Sequence, residues 1–202
     1  DGIRDDWLRL VGSEMCIRDR LYPGQNTTSL CPATTFDGEE IYLPGQSPDA
    51  DEVQERQQRY HQPYHDALQA QLERIYQRHG FAILYDCHSI RSLVPYLFDG
   101  KLPDFNIGSN NGQSCSPLIE TAVHAVCDDA QDYSVVTNGR FKGGWTTRHY
   151  GEPGRGLHAI QMELAQSTYM QEQAPWHYDA DKAGRLRVIL GAILQNLIRT
   201  FD

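Results

Sequence analysis

No run of about 18 consecutive apolar residues occurs anywhere in this sequence, so nothing in it qualifies as a membrane-spanning helix, and its first residues lack the apolar core of a signal peptide. Basic residues are scarce as well: 18 Lys and Arg stand against 27 Asp and Glu, for a formal charge of −9 over 202 residues. A surface short of positive charge is poorly suited to a phosphate backbone, which sets nucleic acid aside as a partner. The five cysteines (Cys16, Cys31, Cys87, Cys115, Cys127) form no CxxC pair and are odd in number, a pattern that fits reduced thiols better than a disulfide framework or a zinc ribbon. These absences together lead to the expectation of a soluble, cytoplasmic protein with no membrane partner. They leave oligomeric state open.

What is present reads as one domain preceded by a foreign stretch. Residues 1–20 show no strand or helix pattern continuous with the rest of the chain and read as a non-native prefix, with a single domain over 21–202. From Leu21 to Pro48 the chain is rich in Pro, Gly, Asn and Thr, which predicts a long irregular loop in which Gln25, Asn26, Thr27 and Thr28 are candidates to line a site. Asp49 and Glu52 make a capping pair for a helix whose apolar positions, Val53, Tyr60, Tyr64, Leu68, Leu72 and Ile75, run to Gly80, with a kink expected at Pro63. His61 and His65 have the spacing of two metal ligands on one helical face, but no Glu follows the first, and solvated helix histidines are the default. Phe81 to Ser89 is a short apolar run closing on Asp86, His88 and Ser89, the pattern of a buried strand that delivers polar groups at its C-terminal end.

Further on, Asp104 to Ser116 reads as a loop, Pro117 to Cys127 as a helix, and Tyr133 to Thr137 as a strand ending at the Asn138-Gly139 turn. Trp145 to Tyr150 and Leu157 to Leu164 read as two more strands, and Ala183, Leu186, Leu190, Ile193, Leu197 and Phe201 trace the stripe of a closing amphipathic helix. Strands alternating with helices give an α/β class: three layers, with a mostly parallel or mixed sheet covered on both faces.

Three clusters carry possible chemistry. In the first, His88 can present an imidazole to a metal while Asp86 orients or ligates beside it. In the second, Arg140 and Arg148 sit in or beside the Gly-rich run 138–144, and a planar guanidinium is suited to gripping a carboxylate; a surface ion pair explains them equally well. In the third, Gln161-Met162-Glu163, the acid interrupts an apolar strand, where it is costly to bury without a partner or a task. Asp86, His88 and Ser89 also contain the residue types of a hydrolase triad, but neighbours on one strand point to opposite faces and no GxSxG elbow occurs. Cys87 is a candidate nucleophile, though a buried small thiol is the commoner role. His149 and His158 flank the loop Gly151 to Gly156 and read mainly as structural.

Taken in order, Asp86-Cys87-His88-Ser89-Ile90-Arg91-Ser92, Asn138-Gly139-Arg140-Phe141-Lys142-Gly143-Gly144, Thr147-Arg148-His149-Tyr150-Gly151 and His158 to Gln166 resemble the N-formylglutamate amidohydrolase (N-formylglutamate deformylase) family, as does Leu21-Tyr22-Pro23-Gly24-Gln25-Asn26-Thr27-Thr28. The resemblance implies a zinc-dependent hydrolase of phosphorylase/hydrolase-like fold, related to zinc carboxypeptidases, that releases formate from a small-molecule substrate, N-formyl-L-glutamate, in histidine degradation. It implies His88 as a zinc ligand, Glu163 as general base, Arg140 and Arg148 as holders of substrate carboxylates, and Asp86 as the partner that orients His88. The family's earlier segment, with a Pro-His-x-Gly turn and an acidic ligand, has no counterpart here, so the chain is expected to be N-terminally truncated and short of metal ligands. Two other readings stay open: a related metallo-amidohydrolase or carboxypeptidase-like enzyme for another N-acyl amino acid, and an inactive carboxylate-binding fragment.

Overall fold

The computed structural model describes residues 30–35, 37–95 and 97–200. The chain divides into two compact units, one running to Gln71 and including Val94–Asp99, the other made of Leu72–Leu93 and Gly100–Asp202.

In the first unit, residues 30–48 are largely irregular, as their Pro and Gly content predicts, and the isolated bridge Thr34↔Glu40 pairs two points within them. The candidate residues Gln25 to Thr28 and the prefix 1–20 lie outside the described residues. Helix α1 (Ala50–Arg56) opens where the capping pair places it, with the Glu52 N–H donating to Asp49 Oδ1 at 2.9 Å. Its last residue, Arg56, reaches back to Tyr42 Oη at 3.2 Å and also pairs with Glu52. The helical path then widens to a π turn over Gln57–His61 before α2 (Gln62–His79) resumes. Pro63, which lacks an N–H and crowds the carbonyl four residues back, accounts for a change of ladder at this point. The stripe expected along this helix is only partly buried: Leu72 is covered, but Tyr60 and Tyr64 are exposed.

The second unit is organised by a four-stranded mixed sheet in the order β1-β4-β2-β3. Strand β1 (Ala82–Ile90) runs parallel to β4 (Leu157–Ala165), β4 is antiparallel to β2 (Phe105–Gly108), and β2 is parallel to β3 (Val135–Thr137). Two helices, α3 (Pro117–Asp129) and α5 (Ala180–Arg199), pack on one face. Ser116 and Asp179 cap them, accepting from Leu118 and Lys182 backbone N–H groups. Between helices and sheet lies the core: Phe105, Ile107, Ile160 and Met162 from the strands meet Ile119, Val123 and Cys127 of α3 and Leu186, Ile193 and Leu197 of α5. The short helix α4 (Trp145–Tyr150) packs over β4 and β1.

Two expectations are corrected here. Trp145 to Tyr150 is a helix, not a strand: its β-prone Trp, Thr and Tyr are overruled by packing, which buries Thr147 and Tyr150. The stretch 104–116 is not all loop, since it contains β2, four residues long and wholly buried. The mixed sheet with flanking helices is as expected, and among the described residues no helix is long and apolar enough to cross a membrane.

Candidate active site

Two parallel neighbours build the site. The register of β1 and β4 sets Asp86 beside Gln161 and His88 beside Glu163, and because alternate residues of a strand share a face, these four polar side chains make a patch two residues wide and two strands across. The intervening residues Tyr85, Ile160 and Met162 belong to the apolar core, so the patch lies on the sheet face away from α3 and α5. Asp86, His88 and Glu163, singled out separately in the sequence, are thus brought together.

Within the patch, His88 Nε2 donates to Asp86 Oδ1 at 3.0 Å, and this bond holds the imidazole above its ordinary pKa against the opposing effect of burial. Asp86 Oδ2 is buried without a hydrogen-bond partner. Glu163 is 6% exposed, and burial pushes its carboxyl up to about 7, an effect that His88 opposes and Asp86 reinforces. A carboxyl poised near neutrality can accept a proton and return it. The Glu163 side chain is held by Gln161, whose Nε2 donates to Glu163 Oε2 at 3.2 Å.

The loop 138–144 lies against the same face. Asn138, at φ 53°, anchors its start: Oδ1 accepts from the Ser109 and Asn111 N–H groups at 3.0 and 3.2 Å, while Nδ2 donates to Ser109 Oγ at 2.8 Å and Glu120 Oε2 at 3.2 Å. At Gly108 the loop comes so close that a Cβ would stand 2.5 Å from the Gly143 nitrogen. Its end is tied down by the Gly144 N–H, which donates to Gln161 Oε1 at 2.7 Å. Arg140 sits in this loop with its guanidinium 5.3 Å from the Phe141 ring centroid, and Arg148, on α4, donates from Nη1 to the Gly143 carbonyl at 3.3 Å. Both arginines are half-buried.

The alternatives fare differently. Ser89 points away from His88, with its hydroxyl paired to Tyr169 Oη at 2.8 Å, which leaves no serine for a triad on this strand. Burial and Asp86 raise the Cys87 thiol, the wrong direction for a thiolate nucleophile, and Cys115 and Cys127 are buried and pushed up to about 12. His158 is structural, its Nδ1 accepting from the Ser116 N–H at 3.3 Å, and His149 stacks on Trp145 with ring centroids 4.2 Å apart.

A family model for N-formylglutamate amidohydrolase matches residues 14–170. The chain belongs to the N-formylglutamate amidohydrolase family. It is 49% identical over 178 residues to an N-formylglutamate deformylase of Pseudomonas putida, covering 88% of this chain and 66% of that protein. Against an N-formylglutamate deformylase of Pseudomonas aeruginosa it is 49% identical over 172 residues, covering 85% of this chain and 65% of the relative. The chain thus spans about two thirds of the length of the curated relatives it matches. The crystal structure of an N-formylglutamate amidohydrolase from Ralstonia eutropha JMP134 superposes with a TM-score of 0.68 at 25% identity, over 80% of this chain and 59% of that one.

A catalytic zinc ordinarily takes three protein ligands. Among the described residues no group of three His, Cys, Asp or Glu could hold a metal ion, so these residues do not form a complete centre. The His88–Asp86 pair, with one carboxylate oxygen buried and unpartnered, has the chemistry of a single corner of one.

Two participants have roles that residue type alone does not reveal. Gln161 stands out in the sequence only as a neighbour of Glu163; its task depends on a register that no local pattern shows. Asn106 of β2 lies opposite Glu163 and is buried, with Nδ2 donating to the Pro103 and Glu163 carbonyls at 2.7 and 3.1 Å. The one available signal is an amide in the otherwise apolar run Phe105-Asn106-Ile107.

Proposed function

We propose that the protein to which this chain belongs hydrolyses N-formyl-L-glutamate to formate and L-glutamate, as a cytoplasmic step of histidine degradation, and that this chain carries the general base of the reaction. The observation that supports the reading most directly is Glu163, buried beside His88 with its carboxyl raised to about 7, in a chain of this family. Glu163 takes a proton from the attacking water as its oxygen bonds to the formyl carbon; it then passes that proton to the amide nitrogen as the C–N bond breaks, leaving formate and a free amine. Arg140 and Arg148 are assigned to the substrate's carboxylates, where a guanidinium can bind both oxygens and fix the formyl group against the base. His88 is assigned as one zinc ligand with Asp86 orienting it, the remaining ligands coming from outside the described residues. A zinc ion there would polarise the formyl oxygen and acidify water. The same reading relates the fold to zinc carboxypeptidases, in keeping with polar groups gathered toward the C-terminal ends of parallel strands.

The test is formate release from N-formyl-L-glutamate by the protein at its full natural length, supplied with zinc. Turnover of this substrate ahead of N-acetyl-L-aspartate and short peptides is expected. No formate release, or a clear preference for either competitor, rejects the assignment.

A further inference from the structure

The Gln161 side chain has both ends committed. Its Oε1 accepts from the Gly144 N–H at 2.7 Å and its Nε2 donates to Glu163 Oε2 at 3.2 Å. An amide can satisfy these two demands in only one orientation, since the oxygen must face the backbone donor and the nitrogen the carboxylate. The residue is 4% exposed and its bond to Glu163 is buried, whereas the bond to Gly144 reaches the partly open edge of the loop. The bonds join parts that the chain keeps well separated: Gly144 ends the loop that carries Arg140 and opens the helix that carries Arg148, whereas Glu163 lies on the central strand β4.

We infer that Gln161 is a positioning residue that couples the arginine-bearing loop to the carboxylate of Glu163, so that the placement of the substrate-holding segment and the orientation of the base are set by one side chain. This inference rests on the reading of Glu163 as the base. Loop 138–144 is already fixed at its start by Asn138 and further along by close packing of Gly143 on Gly108; Gln161 fixes its end. Among the described residues it is the side chain that donates a hydrogen bond to the Glu163 carboxylate, so without it that group keeps only electrostatic contact with His88 and Asp86.

The two bonds can be separated by substitution. Gln161→Glu keeps an acceptor for the Gly144 N–H but replaces the amide donor facing Glu163; Gln161→Met fills a similar volume and removes both. In the full-length protein, Gln161→Glu is expected to lower kcat about tenfold or more with KM for N-formyl-L-glutamate unchanged, while Gln161→Met lowers kcat similarly and also raises KM. A second readout does not depend on turnover: hydrogen exchange at the Gly144 amide accelerates in Gln161→Met and stays slow in Gln161→Glu. If Gln161→Met fails to fold, the near-isosteric Gln161→Glu and its Gly144 exchange rate carry the test. The coupling is overturned if Gln161→Glu keeps kcat within twofold, if its KM rises as much as that of Gln161→Met, or if Gly144 exchange is the same in both. Glu163→Gln separates this from failure of the underlying reading: retained turnover there removes Glu163 as the base, whereas lost turnover with a normal Gln161→Glu removes only the coupling.

Discussion

The two faces of the sheet use the same strand for opposite purposes. On β4, Ile160 and Met162 face α3 and α5 and are fully covered, while Gln161 and Glu163, between and beside them, face the polar patch. Both faces are buried along this strand, but they are filled differently. The apolar face is filled by close packing, with the Tyr85 hydroxyl buried in it without a partner. The polar face is held by directed bonds, and it retains buried oxygens with no partner, at Asp86 Oδ2 and Asn106 Oδ1. Buried polar atoms left unpaired cost free energy on either face, so what separates the two is close packing on the first and directed bonding around Glu163 on the second. Substitutions on the first should therefore lower stability, and substitutions on the second should lower activity while sparing or even raising stability.

The sharpest test is Glu163→Gln. The amide preserves shape and removes the proton acceptor, so turnover of the full-length protein in a formate-release assay should fall by about 10²–10⁴-fold. Its melting temperature at pH 8 should equal or exceed that of the parent, because a charge that is costly to bury has gone. A large loss of stability would break the comparison. Next is Ile160→Ala on the opposite face: deleting a fully buried side chain between β4 and the helices should cost about 2–5 kcal/mol in urea unfolding. Its kcat, measured where the variant remains folded, should change far less than that of Glu163→Gln.

The pH dependence of stability offers a third contrast. Glu163 has its carboxyl raised from 4.5 to about 7 by burial, so the fold favours its neutral form. The stabilisation is complete below about 4.5 and is lost as pH rises through 7, amounting to about 3 kcal/mol across that window in metal-free protein. His88, also raised, acts in the same direction, but it is half exposed and its share is smaller. Urea midpoints at pH 5 and pH 8 in chelator should thus fall with rising pH in the parent and much less in Glu163→Gln, while Ile160→Ala should keep the parent's slope.

How much of this can be read from residues alone follows the same division. The run Phe81 to Ser89 and the segment Leu157 to Leu164 are legible as strands, because a continuous apolar run broken by single polar residues is a local pattern; the acid in the second already marks it as unusual. The α/β class follows from the alternation of strands with helices and the closing helix from its apolar stripe, but neither pattern distinguishes a mostly parallel sheet from the mixed one observed. Strand β2 is not legible, because four residues amid Gly, Asn and Ser carry no period, and its burial comes from strands on either side. Helix α4 reads wrongly as a strand because six residues rich in Thr and aromatics favour one locally, and only packing on β4 and β1 decides otherwise. For the site, residue types point to Asp86, His88 and Glu163 one at a time. Their adjacency is a property of register, and the role of Gln161 exists only once β4 and loop 138–144 are in place.

The smallest effect expected lies where the polar face meets its covering loop. Asn138 does two things at once: it adopts φ 53°, which Asn tolerates better than most residues, and its side chain ties the loop to Ser109, Asn111 and Glu120. Asn138→Gly keeps the backbone free to adopt that angle and deletes the ties, so it should cost about 1–2 kcal/mol in urea unfolding. Asn138→Ala deletes the same ties and adds backbone strain, for about 1 kcal/mol more. If the loop serves the substrate and not the core, both variants should also raise KM for N-formyl-L-glutamate more than they lower kcat, which is the reverse of the pattern expected for Glu163→Gln. A loss of stability with KM untouched would instead place Asn138 with the apolar face as part of the scaffold, and would move the boundary between the two regions from the sheet to the loop itself.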